Sequence, residues 1–293
     1  KVDQSDIALD GEINTCARKM KELADGELLP GALILSQLFG LTSFEQQVLL
    51  LCTAMELDTR IPALCAAAQD NHQRPYPTFG LAFALFDDPA WDALSPERPL
   101  RHWQLIEIIG QAGQQIINAP LKADERIVNA IKGLNHLDVR FHAYLSPLLS
   151  AELDELPPSQ KRIKERVVQY LSSGLDGGAL VQLTGIDKDS KRLIAQKAAS
   201  ELGLHLYRLP ARMLPPDWKD LNLVRRLWQR ETILQPTGLY LDVPDMFVDE
   251  SLELVSHFVS GTFGVVFLSV RDTFPDIERT GISVEVRKPT PEE

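Results

Sequence analysis

Apolar positions recur at helical spacing through the first half of the chain. Leu33, Leu35, Leu38, Phe39 and Leu41, then Phe44, Val48, Leu49, Leu51 and Cys52, predict two amphipathic helices. Thr42 or Ser43 can cap the second, with Glu45 and Gln46 in its first turn. Leu57, Ile61, Leu64 and Cys65 continue the spacing. Arg74-Pro75-Tyr76-Pro77-Thr78 is a rigid entry into a short helix near Phe79–Leu85, because prolines so placed cannot lie inside a helix. The stretch Pro99–Ile106 reads equally as strand or helix. Leu121–Leu134 reads as an amphipathic helix with Ile127, Val128, Ile131 and Leu134 on one face and Gly133 near its end. No internal repeat occurs at solenoid periods.

The pattern changes after Pro157-Pro158. Glu152, Asp154 and Glu155 precede the pair, and Ser159 can cap a helix running to about Ser172, so the prolines mark a domain boundary. From Gly177 onward short apolar runs alternate with amphipathic ones. Ala179–Thr184, Leu204–Leu209, Gly238–Asp242, Gly264–Val270 and Ile282–Arg287 predict five strands. Helices are expected at about Ser190–Leu202, Trp218–Leu234 and Glu250–Ser260. This alternation implies a parallel sheet covered by helices on both faces. The expected organisation is a mainly helical domain over 1–156 and an α/β domain over 157–293.

The length of 293 residues suits two domains, and 44% hydrophobic residues suffice for two cores. No apolar run reaches the ~18 residues of a membrane span. Cys16, Cys52 and Cys65 lack metal-ligand or disulfide-framework spacing and read as buried free thiols in a cytoplasmic protein. The net charge of −11 is unevenly spread. Residues 1–156 hold 12 Lys+Arg against 22 Asp+Glu, and residues 157–293 hold 18 against 19. The acidic first half repels phosphate backbones and weighs against nucleic acid as a partner.

The candidate chemistry lies after the first strand of the second half. The loop Gly185-Ile186-Asp187-Lys188-Asp189-Ser190-Lys191-Arg192 sits where a strand meets a helix, the setting of the phosphate-binding pattern GxxxxGK[ST]. Gly185 and Lys191 match it. Ser190 replaces the second glycine and adds a Cβ where the backbone must approach phosphate. Arg192 replaces the hydroxyl residue that ligates magnesium, and a guanidinium has no acceptor to offer a cation. Asp242 ends an apolar strand as a metal-organising aspartate would, but Val243 stands where a glutamate should polarise water. Losing general-base assistance commonly costs ~10²–10⁴-fold in rate. The nucleotide site is therefore read as degenerate.

Several segments resemble a bacterial family of AAA ATPases with a winged-helix-like N-terminal domain. They are Leu38–Cys52, Arg74-Pro75 with Pro77-Thr78, Pro99–Trp103, Pro120-Leu121 with Asp124-Glu125-Arg126, Arg230-Glu231 and the Gly238–Asp242 strand. Its relatives include ATPases encoded with contractile injection systems. The resemblance implies a five-stranded, AAA-like P-loop domain, here without its lid. It implies a regulatory and assembly portion of a longer protein, in which a downstream module uses ATP and magnesium. It implies a homo-oligomeric ring and a further, unidentified protein partner. Gly185, Ser190, Lys191, Arg192 and Asp242 then form the degenerate nucleotide site. Ser269 falls at a sensor position and Arg279 at that of an arginine finger. Two other readings stay open. One is an ATP-binding enzyme with an unusual phosphate loop. The other is a winged-helix DNA-binding regulator, for which the acidic half offers no basic recognition helix.

Other candidates have plainer readings. His102, His136, His142 and His205 form no metal-binding motif. Trp91, Trp103, Trp218 and Trp228 read as core or interface anchors. The run Lys161–Arg166 reads as a solvated helix face.

Overall fold

The computed structural model describes residues 30–110, 113–148, 156–173, 178–245, 249–274 and 277–290, with scattered positions between 11 and 22. The acidic stretch Glu152–Glu155 lies outside the described residues. The chain divides into two compact units, Lys1–His136 and Leu137–Glu293. The division falls before the proline pair, which instead opens a helix inside the second unit.

In the first unit, α1 (Gly31–Phe39) follows Pro30 and ends at Gly40, whose left-handed backbone lets Leu41 N–H reach Ser36 O at 2.9 Å. Helix α2 (Ser43–Leu57) opens with a capping box. The Thr42 hydroxyl accepts from Glu45 N–H at 3.2 Å, and Glu45 accepts from Thr42 N–H at 2.9 Å. Glu45 is fully buried, and Arg98 donates to it twice, at 3.0 and 3.2 Å. One carboxylate thus starts a helix and ties a distant segment to it.

The spacing that ran on from Leu57 is interrupted: Asp58 ends α2, and α3 (Ile61–Ala68) begins anew with Pro62 in its first turn. Helix α4 (Phe79–Leu85) is capped by Thr78 as its prolines suggested. The ambiguous stretch resolves into both forms, a short α5 (Pro99–His102) and strand β1 (Ile106–Ile108).

The long helix expected over Leu121–Leu134 is corrected. Leu121–Ala123 is strand β2, antiparallel to β1, and only Glu125–Ile131 is helix, α6. Asp124 caps that helix, accepting from Arg126 N–H at 3.1 Å, so the chain cannot be helical before it. Leu121 and Ala123 face the core and Lys122 points out, opposite Glu107 of β1. Gly31 packs α1 against α6 so closely that a Cβ would lie 2.5 Å from Ile131 O.

Phe44, Phe83 and Trp91 form a ladder of near-parallel rings, with centroids 5.3 and 5.6 Å apart. Phe44 is buried, whereas Trp91, in a 3-10 turn, is 66% exposed.

The second unit is built on a six-stranded sheet in the order β3-β5-β6-β7-β4-β8. The strands are β3 (Ser146–Pro147), β4 (Leu180–Thr184), β5 (His205–Pro210), β6 (Thr237–Asp242), β7 (Val265–Ser269) and β8 (Gly281–Glu285). Five are parallel, as the alternation implied. The sixth, β3, adds an antiparallel edge that two residues are too few to announce.

Helices α7 (Pro158–Leu171) and α8 (Lys188–Glu201) pack on one face, where Val167, Ile194, Ala195 and Ala198 meet Val181, Leu183 and Phe267. Helices α9 (Trp218–Leu234) and α10 (Asp249–Ser260) cover the other, where Leu227, Trp228 and Phe258 meet Leu180, Leu239 and Leu268. Burial on both faces is why the central strands read as continuous apolar runs. Leu137 and Phe141 join this second face, and buried Asp138 accepts from Arg140 and, at 2.6 Å, from fully buried Arg230 of α9. Among the described residues no helix is long and apolar enough to cross a membrane. Cys52 and Cys65 are buried, but Cys16 is exposed, against the expectation of three buried thiols.

Candidate functional site

Parallel pairing brings the sequence-predicted residues to the carboxyl edge of the sheet, where open α/β folds place their ligands. Asp242 lies opposite Ser269 across β6 and β7, and Ser269 lies opposite Leu183 of β4. The loop after β4 therefore lies beside Ser269, with Asp242 one strand further on.

The loop itself is short. Helix α8 begins at Lys188, three residues before Lys191, so the helix occupies positions that an open phosphate cradle would need. Asp187 explains this. Its carboxylate caps the helix, accepting from Ser190 N–H at 3.4 Å and from the Ser190 hydroxyl at 2.8 Å. Burial pushes the Asp187 pKa up, but these hydrogen bonds outweigh it and hold the carboxyl below its ordinary range. A helix N-terminus is a ready anion site, and here the chain's own carboxylate fills it. Ser190 is buried and also accepts from Gln160 of α7 at 2.6 Å. Its hydroxyl ties two helices together.

Lys191 is 1% exposed. Its ammonium donates to Gly185 O and to Val270 O, both at 2.7 Å. The lysine thus bolts the loop to the end of β7. Burial lowers its pKa, with the charges of Asp245 and Asp242 acting in the opposite direction. Gly185 keeps its place for a steric reason. Its φ is +121°, and a Cβ would lie 2.3 Å from Val286 O, so the backbone closely approaches the end of β8. Gly185 N–H bonds Arg271 O at 2.9 Å.

The remaining members are engaged locally. Arg192 pairs with Asp189 at 2.8 Å on the exposed side of α8. Asp242 accepts from Arg208 of β5 through both Nε and a terminal nitrogen. Val243 is buried and continues the apolar strand, and Asp245 lies 3.7 Å from Lys188. Ser269 is buried at the end of β7, near Tyr240, whose phenol burial pushes up to about 12.

Arg279 sits elsewhere. It precedes β8, at the amino edge of the parallel strands, and its guanidinium donates to Gly264 O and, at 3.4 Å, to Val259 O. Burial lowers its pKa to about 10. It closes the turn between α10 and β7.

Taken together, these residues do not fit magnesium and a triphosphate. The ammonium, the helix N-terminus and the aspartate that would receive them already hold partners from the chain itself. An open cleft of about 760 Å³ does lie beside the loop, on its β8 side, lined by Thr184, Gly185, Arg271, Ser283, Glu285 and Lys288. The sequence reading did not single out Arg208 or Gln160. A basic residue one strand from Asp242 was the only available signal for the first.

Residues 8–145 match the family model described as a winged helix domain, variant. The N-terminal part of the chain therefore carries a winged helix domain. The match runs somewhat past the first compact unit, which ends at His136. No curated protein matches the chain.

Proposed function

We propose that this chain is the regulatory and assembly portion of an AAA ATPase, with a partner-engaging winged helix domain and an α/β module that has given up nucleotide chemistry. One observation carries the reading. The loop whose sequence resembles GxxxxGK[ST] follows β4 and leads into α8, yet its lysine holds two main-chain carbonyls. Lys191 serves as a structural bolt between the loop and the end of β7. Such a module supports packing between subunits of a ring, while hydrolysis belongs to a downstream module with ATP and magnesium.

Phosphate release and calorimetry with Mg–ATP test this. The expected result for residues 1–293 is no turnover and no heat of binding. Micromolar binding, lost in Lys191→Ala while the circular dichroism spectrum is retained, would establish instead an ATP-binding enzyme with an unusual loop.

A second reading, a winged-helix DNA-binding regulator, draws support from the family match itself. The acidic first half opposes it. Duplex DNA binding that weakens steeply with salt would favour it over the ring subunit.

A further inference from the structure

We propose that the acidic loop bearing Trp91 is a docking site for a basic segment of a partner protein, with an arginine or lysine side chain lying on the outer face of the indole. This rests on the partner-engaging reading of the winged helix domain and names the chemistry of that partner.

The pose of Trp91 is set from the core outward. Its inner face stacks on Phe83 at 5.6 Å and 9°, and Phe83 stacks on buried Phe44 at 5.3 Å and 6°. With that face occupied by Phe83, 66% of Trp91 is still exposed. An aromatic face carries negative charge density and attracts a cation.

The surrounding chain strengthens that attraction. Between Leu85 and Arg98 lie Asp87, Asp88, Asp92 and Glu97, all exposed, and no lysine, arginine or histidine. Two cations adjoin the segment and both are engaged: Arg98 holds Glu45 at 3.0 Å and lies 3.4 Å from Asp92, and Arg101 donates to Leu94 O at the end of the turn. Asp87 and Asp88 remain to meet an incoming charge. Asp88 stands at a turn with φ +51°. Leu85, at the end of α4 in the same segment, is 52% exposed. Anionic partners such as nucleic acid or acidic lipid are repelled by the same carboxylates.

The test titrates the chain with an oligoarginine peptide and, as control, an oligoglutamate peptide. Calorimetry gives affinity, and the indole N–H resonance of Trp91, assigned by its absence in Trp91→Phe, reports the site. The oligoarginine peptide is expected to bind and to shift that resonance, and the oligoglutamate peptide to do neither. Trp91→Ala should weaken binding about fivefold to tenfold, and Trp91→Phe less. Asp87→Asn and Asp88→Asn should each weaken it, with the salt dependence reduced.

Oligoarginine affinity unchanged in Trp91→Ala, or an unmoved indole resonance, overturns the proposal, since the attraction then belongs to the overall negative charge. The partner-engaging reading survives that result and falls separately, on salt-dependent DNA binding. Self-association that disappears in Trp91→Ala also overturns the proposal, because the occupant is then a second copy of the chain. Should Trp91→Ala fail to fold, the aspartate variants and the indole shift decide the matter.

Discussion

The loop after β4 and the loop around Trp91 make opposite use of their side chains. The first carries residues that look reactive on paper, and every one of them is held by the protein itself. Lys191, Asp187, Ser190 and Asp242 each have a partner within the second unit. The second carries residues that look ordinary, yet a large ring stands stacked and exposed among carboxylates. The capacity to bind follows the groups left unengaged after folding, and a motif alone does not reveal which those are.

The comparison can be broken most forcefully at the bolt. Replacing Lys191 with methionine leaves the carbonyls of Gly185 and Val270 without their donor. The expected loss is about 2–4 kcal/mol, read from denaturant unfolding. A near-neutral outcome would mean that the lysine is held for a ligand rather than for the fold.

Removing the cap by Asp187→Ala should cost about 1–2 kcal/mol. It should also free the helix N-terminus, so a gain in affinity for inorganic phosphate by calorimetry would sharpen the claim that the carboxylate occupies an anion site.

The third effect is the contribution of Asp138 to the pH dependence of stability. Burial pushes the Asp138 pKa up, but the hydrogen bonds of Arg140 and the charges of Arg140 and Arg230 overcome it and leave the carboxyl below its ordinary value. Because the folded pKa is the lower one, its stabilisation is complete above the unfolded value near ~3.9. It is lost as pH falls through the folded pKa. Denaturant midpoints followed into acid should drop in the parent and drop less in Asp138→Asn.

The smallest effect belongs to the exposed ring. Trp91→Phe should change stability by no more than about 0.5 kcal/mol in thermal unfolding, since stacking on Phe83 is preserved. A larger loss would show that the indole supports the fold and is not simply presented by it.

Much of the architecture was legible where one local signal dominated. The Thr42–Glu45 capping box marked α2, and the apolar runs of β4, β6 and β7 marked central strands. What escaped were short elements whose identity depends on distant pairing. Leu121–Ala123 carries three residues of alternation, too few to outweigh the helical spacing that follows, and only β1 makes it a strand. Two-residue β3 exists because β5 presents an edge to it. At the site, the order of residues located the loop. The role of Asp187 as helix cap emerges once α8 is seen to start at Lys188. Arg279 was placed by its position before a strand, but the carbonyls that receive its guanidinium belong to Val259 and Gly264.

One feature of the sheet bears on how the protein behaves in concentrated solution. Among the described residues β8 pairs only with β4, so its outer side offers a row of peptide donors and acceptors to any strand that drifts past. Glu285 and Arg287, exposed and linked at 3.0 Å, place charge at the end of that edge strand, β8. Valines at those two positions would turn the margin into a template, and turbidity rising with protein concentration would report the fibrils or clumps that follow.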